Sequence, residues 1–153
     1  MKIISQNKKA FYDYSVLETI EAGIALTGDE VKSLRAGTVN LVGSFIVPHA
    51  GKLQMVNAYI APYSHAYQKA GEEDAHRTRD LLLHRREIDR LVGEVSRSGM
   101  TLIPLKLYFN EKGRVKVEVG VCKHKKAQQR KEELRERDIK RETRRELKGT
   151  YDY

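Results

Sequence analysis

Valine recurs at every second position from Val115 to Val121, and the intervening residues are Lys116, Glu118 and Gly120. Side chains of a β-strand point alternately to opposite faces, so this pattern predicts a strand with one buried face and one charged face. The preceding segment reads TLIPLKLYF and is also rich in β-branched and aromatic residues, and the turn-forming residues NEKG separate the two segments. Together they predict an antiparallel hairpin.

Two further regions predict strands. Residues 9–26 are rich in aromatic and β-branched residues and predict a long strand, a break at Glu21-Ala22-Gly23 and a second strand at Ile24-Ala25-Leu26. Residues 39–60 predict another hairpin, with its turn at residues 49–52. Residues 61–79 lose this periodicity and gain Gly, Pro and charge, so they predict a long loop with a candidate functional role.

Two helices interrupt the predicted strands. The segment TGDEVKSLRAG has a candidate N-cap at Thr27 or Asp29 and a terminating Gly37, which predicts a short helix near residues 29–36. Residues 80–98 predict a longer helix that ends at Gly99, because an apolar stripe runs along one side. That stripe consists of Leu81, His84, Ile88, Leu91, Val92 and Val95.

Short antiparallel strands outnumber helices in this pattern, so the predicted fold class is mainly β with flanking helices. We interpret the strands as an oligonucleotide-binding-type closed antiparallel β-barrel, and a β-sandwich is the alternative.

The end of the chain carries most of its excess positive charge. Between Lys123 and Lys148 there are 12 Lys/Arg and 6 Asp/Glu residues, a net charge of +6, compared with +8 for the whole chain. Apolar residues are too few there to form a continuous face, so we expect a disordered or helical tail with little stability of its own. A tail of this kind either increases solubility or binds a polyanion and becomes ordered on it.

Length and composition restrict the remaining choices. The chain has 153 residues, the size of one domain, and its net charge of +8 favours a nucleic-acid partner. No run approaches the roughly 18 apolar residues of a membrane span, and no apolar signal core is present, so we expect a cytoplasmic protein. Cys122 is the single cysteine, which excludes an internal disulfide. We divide the chain into a body, residues 1–122, and a basic tail, residues 123–153.

Two polar groups of the body are candidates for RNA binding. The first precedes the aromatic segment, where two lysines can reach phosphate groups. The second lies on the short helix, where a glutamate can accept from a nucleobase or ribose, although an exposed, ion-paired helix turn explains the same residues. The groups are Asn7, Lys8 and Lys9, and Glu30, Lys32 and Arg35.

The five histidines raise the alternative of a ribonuclease, since two histidines beside a basic groove can cleave RNA by general acid–base catalysis. His84 lies on the predicted apolar stripe, where a buried core histidine is expected. His49 lies in a predicted turn, and His65 and His76 lie in the long loop without carboxylates suitably placed in the pattern. The sequence has no metal-ligand spacing and no phosphate-binding glycine motif, so we expect no metal and no cofactor.

Three segments together resemble one protein family. They read QNKKAFYDYSVLETIEAGIALTGDEVKSLRAGTVNL, RTRDLLLHRREIDRL and TLIPLKLYFNEKGRVKVEVGVCKHKK. They resemble small protein B, the SsrA-binding protein family of bacteria, from about Ser5 to Lys126 and more loosely along the tail. The resemblance implies an oligonucleotide-binding-type barrel that binds the tRNA-like domain of transfer-messenger RNA. It also implies delivery of that RNA to stalled ribosomes for trans-translation.

The same resemblance implies partners and site residues. The ribosome catalyses trans-translation, so the protein is expected to be a binding protein and no enzyme. We also expect it to be monomeric. Its tail is expected to lie in the decoding centre and messenger channel of the ribosome. A ribosome-associated structural RNA-binding protein and a His-dependent ribonuclease are the alternatives. The RNA-binding positions implied by the resemblance are Asn7, Lys8, Glu30, Lys32, Arg35, Lys123, Lys125 and Lys126. Lys9 and Arg114 are further RNA-binding candidates. The candidate ribosome contacts are Arg130, Lys131, Arg135, Arg137, Lys140, Arg141, Arg144 and Arg145.

The sequence departs from the family pattern at several positions. Residues 72–75 replace an Asn-His-Asp-Pro-like run, and Asp80 stands where lysine is usual. In the tail, Gln128 replaces an aromatic residue or histidine, and Thr143 replaces a frequent tryptophan. Rings stack on nucleobases better than these side chains do, so the tail's contacts are expected to differ in detail.

Overall fold

The computed structural model of this chain describes residues 1–63 and 75–151. The described part is mainly β with flanking helices, as the sequence predicts. Its strands are β1 (Lys2–Gln6), β2 (Tyr14–Ile24), β3 (Val39–Asn40), β4 (Phe45–His49), β5 (Lys52–Val56), β6 (Tyr59–Ile60), β7 (Arg79–Leu82), β8 (Thr101–Phe109) and β9 (Val115–His124). Its helices are α1 (Lys8–Asp13), α2 (Gly28–Ala36), α3 (Arg85–Ser98) and α4 (Ala127–Tyr151).

Antiparallel pairing connects six strands in a ring. β8 pairs with β4, and the pairing continues through β5, β7, β2 and β9 back to β8. β1 adds to β8, with Lys2 opposite Phe109, and β3 pairs with β6 as a separate two-stranded sheet. The predicted hairpins are confirmed, since β8 pairs with β9 and β4 pairs with β5.

The apolar core lies on the inward faces of these strands. Val117 and Val119 are completely buried and Val121 is almost completely buried, which confirms the burial expected from the alternating valines. The main cluster also contains Ala22, Leu34, Leu53, Met55, Leu81, Leu91, Leu102 and Leu107. Burial of this apolar surface is the main force that holds the strands and α2 together.

Residues 9–13 belong to helix α1, so the strand predicted there is wrong. Asn7 caps the helix: its Oδ1 accepts from the backbone N–H of Ala10 at 3.2 Å. The Asn7 side-chain amide also donates to the carbonyl oxygens of Leu41 and Pro104, each at 3.2 Å. These partners come from distant parts of the chain, so local alternation could not reveal the helix.

β2 then continues without interruption from Tyr14 to Ile24, and the predicted break at Glu21-Ala22-Gly23 is also wrong. Residues Glu21, Ala22 and Gly23 pair with β9 opposite Glu118, Val117 and Lys116. The predicted second strand at residues 24–26 is therefore only the end of β2.

The helix predicted for residues 80–98 begins at Arg85. Residues 79–82 form strand β7 instead, with Leu81 opposite Ile24 and Leu82 opposite Gly23. His84 is exposed and precedes the helix, so the core role predicted for it is wrong. Its backbone N–H donates to the Glu87 carboxylate at 3.2 Å, which caps the first turn. Of the loop predicted for residues 61–79, residues 64–74 lie outside the described part.

Helix α2 confirms the helix predicted near residues 29–36. Thr27 and Glu30 form a capping box, in which each side chain accepts a hydrogen bond from the other residue's backbone N–H. Gly37 ends the helix in the left-handed region, with φ of 79°. These signals are local, which explains why the sequence alone locates this helix.

None of the helices in the described part of the chain combines the length and apolar character that a membrane span requires.

Candidate nucleic-acid interface

Glu30 lies in the first turn of α2 and forms an ion cluster with Arg77, which precedes β7, and with Arg79, the first residue of β7. Its Oε1 accepts from Arg77 Nε at 3.1 Å, and its Oε2 accepts from Arg79 Nε at 2.5 Å. The Arg79 side chain is completely buried and also donates to the carbonyl oxygens of Ala58 and Ala75, at 2.9 and 3.0 Å. Helix α2 is thereby attached to the strands beneath it.

The electrostatics of this cluster favour an ionised Glu30. Partial burial alone would raise the pKa of Glu30, but hydrogen bonds from Arg77, the Thr27 backbone and Arg79 hold it below its ordinary value. Both carboxylate oxygens already accept hydrogen bonds from within the fold. This geometry corresponds to the ion-paired helix turn that was the alternative interpretation of the sequence.

The two cations of α2 lie outside this cluster. Lys32 and Arg35 are both exposed. The Lys32 Nζ lies 5.2 Å from the centroid of the Tyr63 ring, a cation–π contact that places the ammonium group beside an aromatic surface. An exposed ammonium group and an exposed guanidinium on one short helix suit phosphate groups.

The three candidate residues at the start of α1 also differ in burial. Asn7 is buried and its side chain caps the helix, whereas Lys8 and Lys9 are exposed. Lys9 lines a groove with Asp13, Tyr14, Val42 and Phe45. The combination of a cation with partly exposed apolar and aromatic side chains suits a phosphate with an adjoining nucleobase.

The three lysines at the end of β9 and just beyond it occupy different environments. Lys123 and Lys126 are exposed. Lys125 is only 7% exposed, and its Nζ donates to the carbonyl oxygen of Phe11 at 3.0 Å and to the Glu133 carboxylate. The backbone N–H of Lys125 also donates to the carbonyl oxygen of Asp13 at 3.0 Å. These contacts place Lys125 against the C-terminal end of α1.

Arg114 is exposed and lies at the other end of β9. The ten-residue strand spans about 30 Å at the usual rise per residue, so Arg114 is far from Lys123. It lines a separate shallow cleft with Lys112, Lys116, Glu21 and Tyr108. The Tyr108 hydroxyl donates a hydrogen bond to the Glu21 carboxylate. Burial and this hydrogen bond raise the pKa of Tyr108.

The predicted ribosome contacts lie on α4. Arg130 is partly buried, and its Nη1 lies 3.4 Å from Oδ1 of Asp13. The other seven cations are exposed along the helix: Lys131, Arg135, Arg137, Lys140, Arg141, Arg144 and Arg145. Thr143 bonds within the helix, where its hydroxyl donates to the carbonyl oxygen of Ile139 at 2.9 Å.

The described histidines do not assemble into one site. His49 is exposed at the end of β4, the ring of His76 lies 5.1 Å from that of Tyr59, and the ring of His124 lies 5.0 Å from that of Tyr14. His65 is outside the described residues. Within residues 1–63 and 75–151, no group of three or more His, Cys, Asp and Glu side chains is arranged to hold a metal ion.

Comparison with known proteins identifies the family. A family model described as SmpB protein matches residues 4–149. The chain belongs to the SmpB protein family. The resemblance inferred from the sequence motifs is thereby confirmed.

Curated relatives in this family cover nearly the whole chain. The SsrA-binding protein of Coprothermobacter proteolyticus is 46% identical over 154 residues, which cover 99% of this chain and all of that protein. The SsrA-binding protein of Caulobacter sp. (strain K31) is 49% identical over 148 residues, or 97% of this chain and 96% of the relative. A chain in the solved structure "tmRNA-SmpB: a journey to the center of the bacterial ribosome" is 51% identical, with a TM-score of 0.66 over 80% of this chain and 85% of that one.

The sequence reasoning missed two features of this SmpB-family surface. The partners of Glu30 were not predicted, because 47 and 49 residues separate it from Arg77 and Arg79. Leu82 was placed on a helix, yet it lies on β7 with 60% of its surface exposed, beside the buried Leu81. Strand alternation within residues 79–82 is the signal that could have identified this exposed leucine.

Proposed function

We propose that this chain binds the tRNA-like domain of transfer-messenger RNA and delivers that RNA to stalled ribosomes for trans-translation. The observation that carries the proposal is the SmpB family match over residues 4–149. The SsrA-binding relatives and the similar chain from a tmRNA–SmpB structure on the ribosome support the same partners.

We interpret the ring of six paired strands as a closed barrel of the oligonucleotide-binding type. The pairing of β9 back to β8 supports this interpretation, because it leaves no free edge between those two strands. Barrels of this type bind nucleic acids through one face and its adjoining loops. In this proposal, residues 1–122 are the RNA-binding body and residues 123–153 are the basic tail.

The exposed cations of the body are the proposed phosphate contacts. An exposed ammonium or guanidinium group can release counterions when a phosphate approaches it, which gives salt-dependent affinity. Most of the proposed contacts lie on α1, on α2 and at or just beyond the C-terminal end of β9, whereas Arg114 directly precedes that strand. These contacts are Lys8, Lys9, Lys32, Arg35, Arg114, Lys123 and Lys126.

Three of the candidate RNA-binding residues have their polar atoms engaged inside the fold. Asn7 caps α1, Glu30 accepts from Arg77 and Arg79, and Lys125 donates to Phe11 and Glu133. We assign them an indirect contribution, in which each fixes the element that carries the neighbouring exposed cations. The predicted reading of ribose or nucleobase groups by Glu30 would require its arginine partners to move.

The exposed side of α4 is proposed to enter the messenger channel of the ribosome. Its cations are spread around the helix, which suits a channel whose walls are RNA phosphates. They are Lys131, Arg135, Arg137, Lys140, Arg141, Arg144 and Arg145, with Arg130 nearer the body. We propose that the chain acts as a monomer in the cytoplasm and catalyses no step itself.

Two measurements test this function. We expect tight, salt-sensitive binding to a tRNA-like RNA, and we expect the protein to restore peptide tagging in a translation system that contains transfer-messenger RNA and ribosomes stalled without a stop codon. Absence of tagging with a correctly folded protein would contradict the proposal. Cleavage of the RNA during incubation would support a ribonuclease instead, and constant stoichiometry with translating and stalled ribosomes would support a structural ribosomal role.

A further inference from the structure

Two aromatic rings lie in contact near helix α2. The centroid of the His76 ring lies 5.1 Å from that of the Tyr59 ring, with 50° between their planes. His76 is exposed and Tyr59 is partly buried. Rings inclined at this angle do not cover each other's faces, so part of the aromatic surface remains open to a third ring. We call Tyr59 and His76 the ring pair.

The completely buried Arg79 holds the backbone on both sides of this contact. Its guanidinium donates to the carbonyl oxygen of Ala58, the residue before Tyr59, at 2.9 Å. It also donates to the carbonyl oxygen of Ala75, the residue before His76, at 3.0 Å. Ala58 and Ala75 are themselves buried. One buried side chain therefore fixes the two backbone segments that carry the rings.

The backbone after His76 is held as well. Arg77 donates through Nε to Oε1 of Glu30 at 3.1 Å and through Nη2 to the carbonyl oxygen of Ala25 at 3.3 Å. His76 therefore lies between two anchored residues, although its own side chain is exposed. A ring on an already ordered backbone loses less conformational entropy when a ligand binds to it.

Among the described residues, positive charge predominates on the elements that adjoin the ring pair. The ion cluster at Glu30 contains two guanidinium groups and one carboxylate, so its net charge is positive. Helix α2 contacts β6, the strand of Tyr59, and carries the exposed cations Lys32 and Arg35. Asp29 is exposed in the first turn of α2 and offsets one of these charges. The remaining excess of cations favours an anionic ligand.

We propose that the ring pair binds an unpaired nucleobase of RNA and that Lys32 and Arg35 bind the phosphates beside it. This inference rests on the proposed function, because it assumes that RNA is the partner. Stacking on an aromatic ring requires no particular base, since every base has a flat face. The site therefore selects unpaired nucleotides over nucleotides within a duplex. In this site His76 provides a stacking surface, in contrast to the acid or base that a ribonuclease requires.

Nuclear magnetic resonance of the histidine rings tests the contact directly. In the full chain with isotope-labelled histidine, the His76 signals are those that disappear in His76→Ala. We expect a short single-stranded RNA of mixed sequence to shift them upfield, because a stacked base shields the protons of the ring that it covers. The signals of His49, which is exposed at the end of β4, are the control and should not move. His76 signals that move no more than those of His49 would overturn the proposal.

Substitutions at His76 test whether stacking contributes to affinity. His76→Ala removes the exposed ring and should weaken binding of the short single-stranded RNA by at least about fivefold. His76→Phe keeps an aromatic face and should retain most of the affinity. His49→Ala removes an exposed histidine elsewhere and should leave the affinity unchanged. Equal affinities in His76→Ala and His49→Ala would overturn the proposal, as would an equal loss in His76→Phe and His76→Ala.

Measurements with larger RNAs distinguish the source of the nucleotide. If a tRNA-like RNA supplies it, His76→Ala should weaken binding to that RNA, and peptide tagging should fall as well. If ribosomal RNA supplies it, affinity for the tRNA-like RNA should be unchanged and only tagging should fall. Unchanged affinity together with unchanged tagging would overturn the proposal, because the ring pair would then contact neither RNA.

The histidine signals also separate this inference from the proposed function. If the unchanged chain bound no tRNA-like RNA and supported no tagging, the proposed function would fail, and the His76 signals would still show whether the ring pair stacks on single-stranded RNA. If the chain bound the tRNA-like RNA and supported tagging equally well with and without the His76 ring, the proposed function would stand and the ring pair would have no part in it.

Discussion

Arg79 donates its Nε–H to Oε2 of Glu30 over 2.5 Å, and this contact joins β7 to α2 across 49 positions of sequence. The Arg79 side chain is completely buried and that of Glu30 is 12% exposed. Removing the carboxylate partner of a buried guanidinium costs more folding free energy than removing the partner of an exposed one, because water cannot take the place of the missing carboxylate. The Glu30–Arg79 pair therefore holds the helix that carries Lys32 and Arg35.

Replacing Glu30 should destabilise the fold strongly. We expect Glu30→Gln to lower the free energy of unfolding by about 3 kcal/mol, because it leaves the Arg79 charge buried without a counter-charge. Urea unfolding followed by circular dichroism measures this loss. Asp29→Asn on the same turn is the control, since Asp29 is exposed and the expected change is below about 1 kcal/mol. Similar losses in the two variants would contradict a special role for Glu30.

The Glu30 contribution should also depend on pH. The pKa of Glu30 is lowered in the folded protein, so its stabilising contribution is complete above the unfolded-state pKa of about 4.3 and is lost as pH falls through the folded-state pKa. The difference in unfolding free energy between the unchanged chain and Glu30→Gln should be constant from pH 6 to 7 and shrink below about pH 4.3. Urea titrations at several pH values measure it, and a difference that does not change with pH would exclude the carboxylate charge as its source.

Local signals account for the elements that the sequence predicted well. Thr27, Glu30 and Gly37 define both ends of α2, and alternating valines identify β9 without any knowledge of its partners. The strand predicted at residues 9–13 failed for the opposite reason. Asn7 begins a helix there because it is fixed by the carbonyl oxygens of Leu41 and Pro104, which are 34 and 97 positions away.

In the candidate site, too, local signals were predictable from the sequence and long-range contacts were not. The family resemblance and the charge pattern identified the cations, whereas their surroundings depend on long-range contacts. Lys125 was predicted beside Lys123 and Lys126 as one cluster, yet only Lys125 is buried, against a carbonyl 114 positions away. Spacing along the chain contains no information about such a contact, so the sequence alone could not distinguish a buried lysine from an exposed one.

The exposed cations of α2 should contribute to RNA affinity through phosphate contacts. We expect Lys32→Gln and Arg35→Gln each to weaken binding to a tRNA-like RNA and to reduce the slope of log affinity against log salt by about 1. Fluorescence anisotropy at several salt concentrations measures both quantities. Lys52→Gln is the matched control and should leave the slope unchanged. It removes an exposed charge on β5 that is paired with Asp80 of β7. Equal slopes in all variants would remove Lys32 and Arg35 from the interface.

A methyl group at Gly120 should disturb the packing between β8 and β9. A Cβ there would lie 2.7 Å from Cδ1 of Leu105, which is completely buried and has little room to move. We expect Gly120→Ala to lower the free energy of unfolding by about 1–3 kcal/mol. Gly28→Ala is the control, because no atom lies within 4 Å of its added Cβ and alanine favours the helix. Equal free energies of unfolding in the two variants would show that β8 and β9 move apart enough to accommodate the added methyl group.

Removing the tail should separate RNA binding from ribosome rescue. A chain that ends at Lys126 keeps α1, α2 and the lysines at the end of β9 and just beyond it, so we expect it to retain binding to a tRNA-like RNA. It lacks all of α4 and therefore should not support tagging on stalled ribosomes, because no basic helix is left to enter the messenger channel. A chain that ends at Gly149 is the matched control: it loses only residues outside the family match over residues 4–149 and should tag normally. Tagging by the chain that ends at Lys126 would contradict the role given to the tail, and loss of RNA binding in that chain would show that α4 contributes to the RNA-binding surface itself.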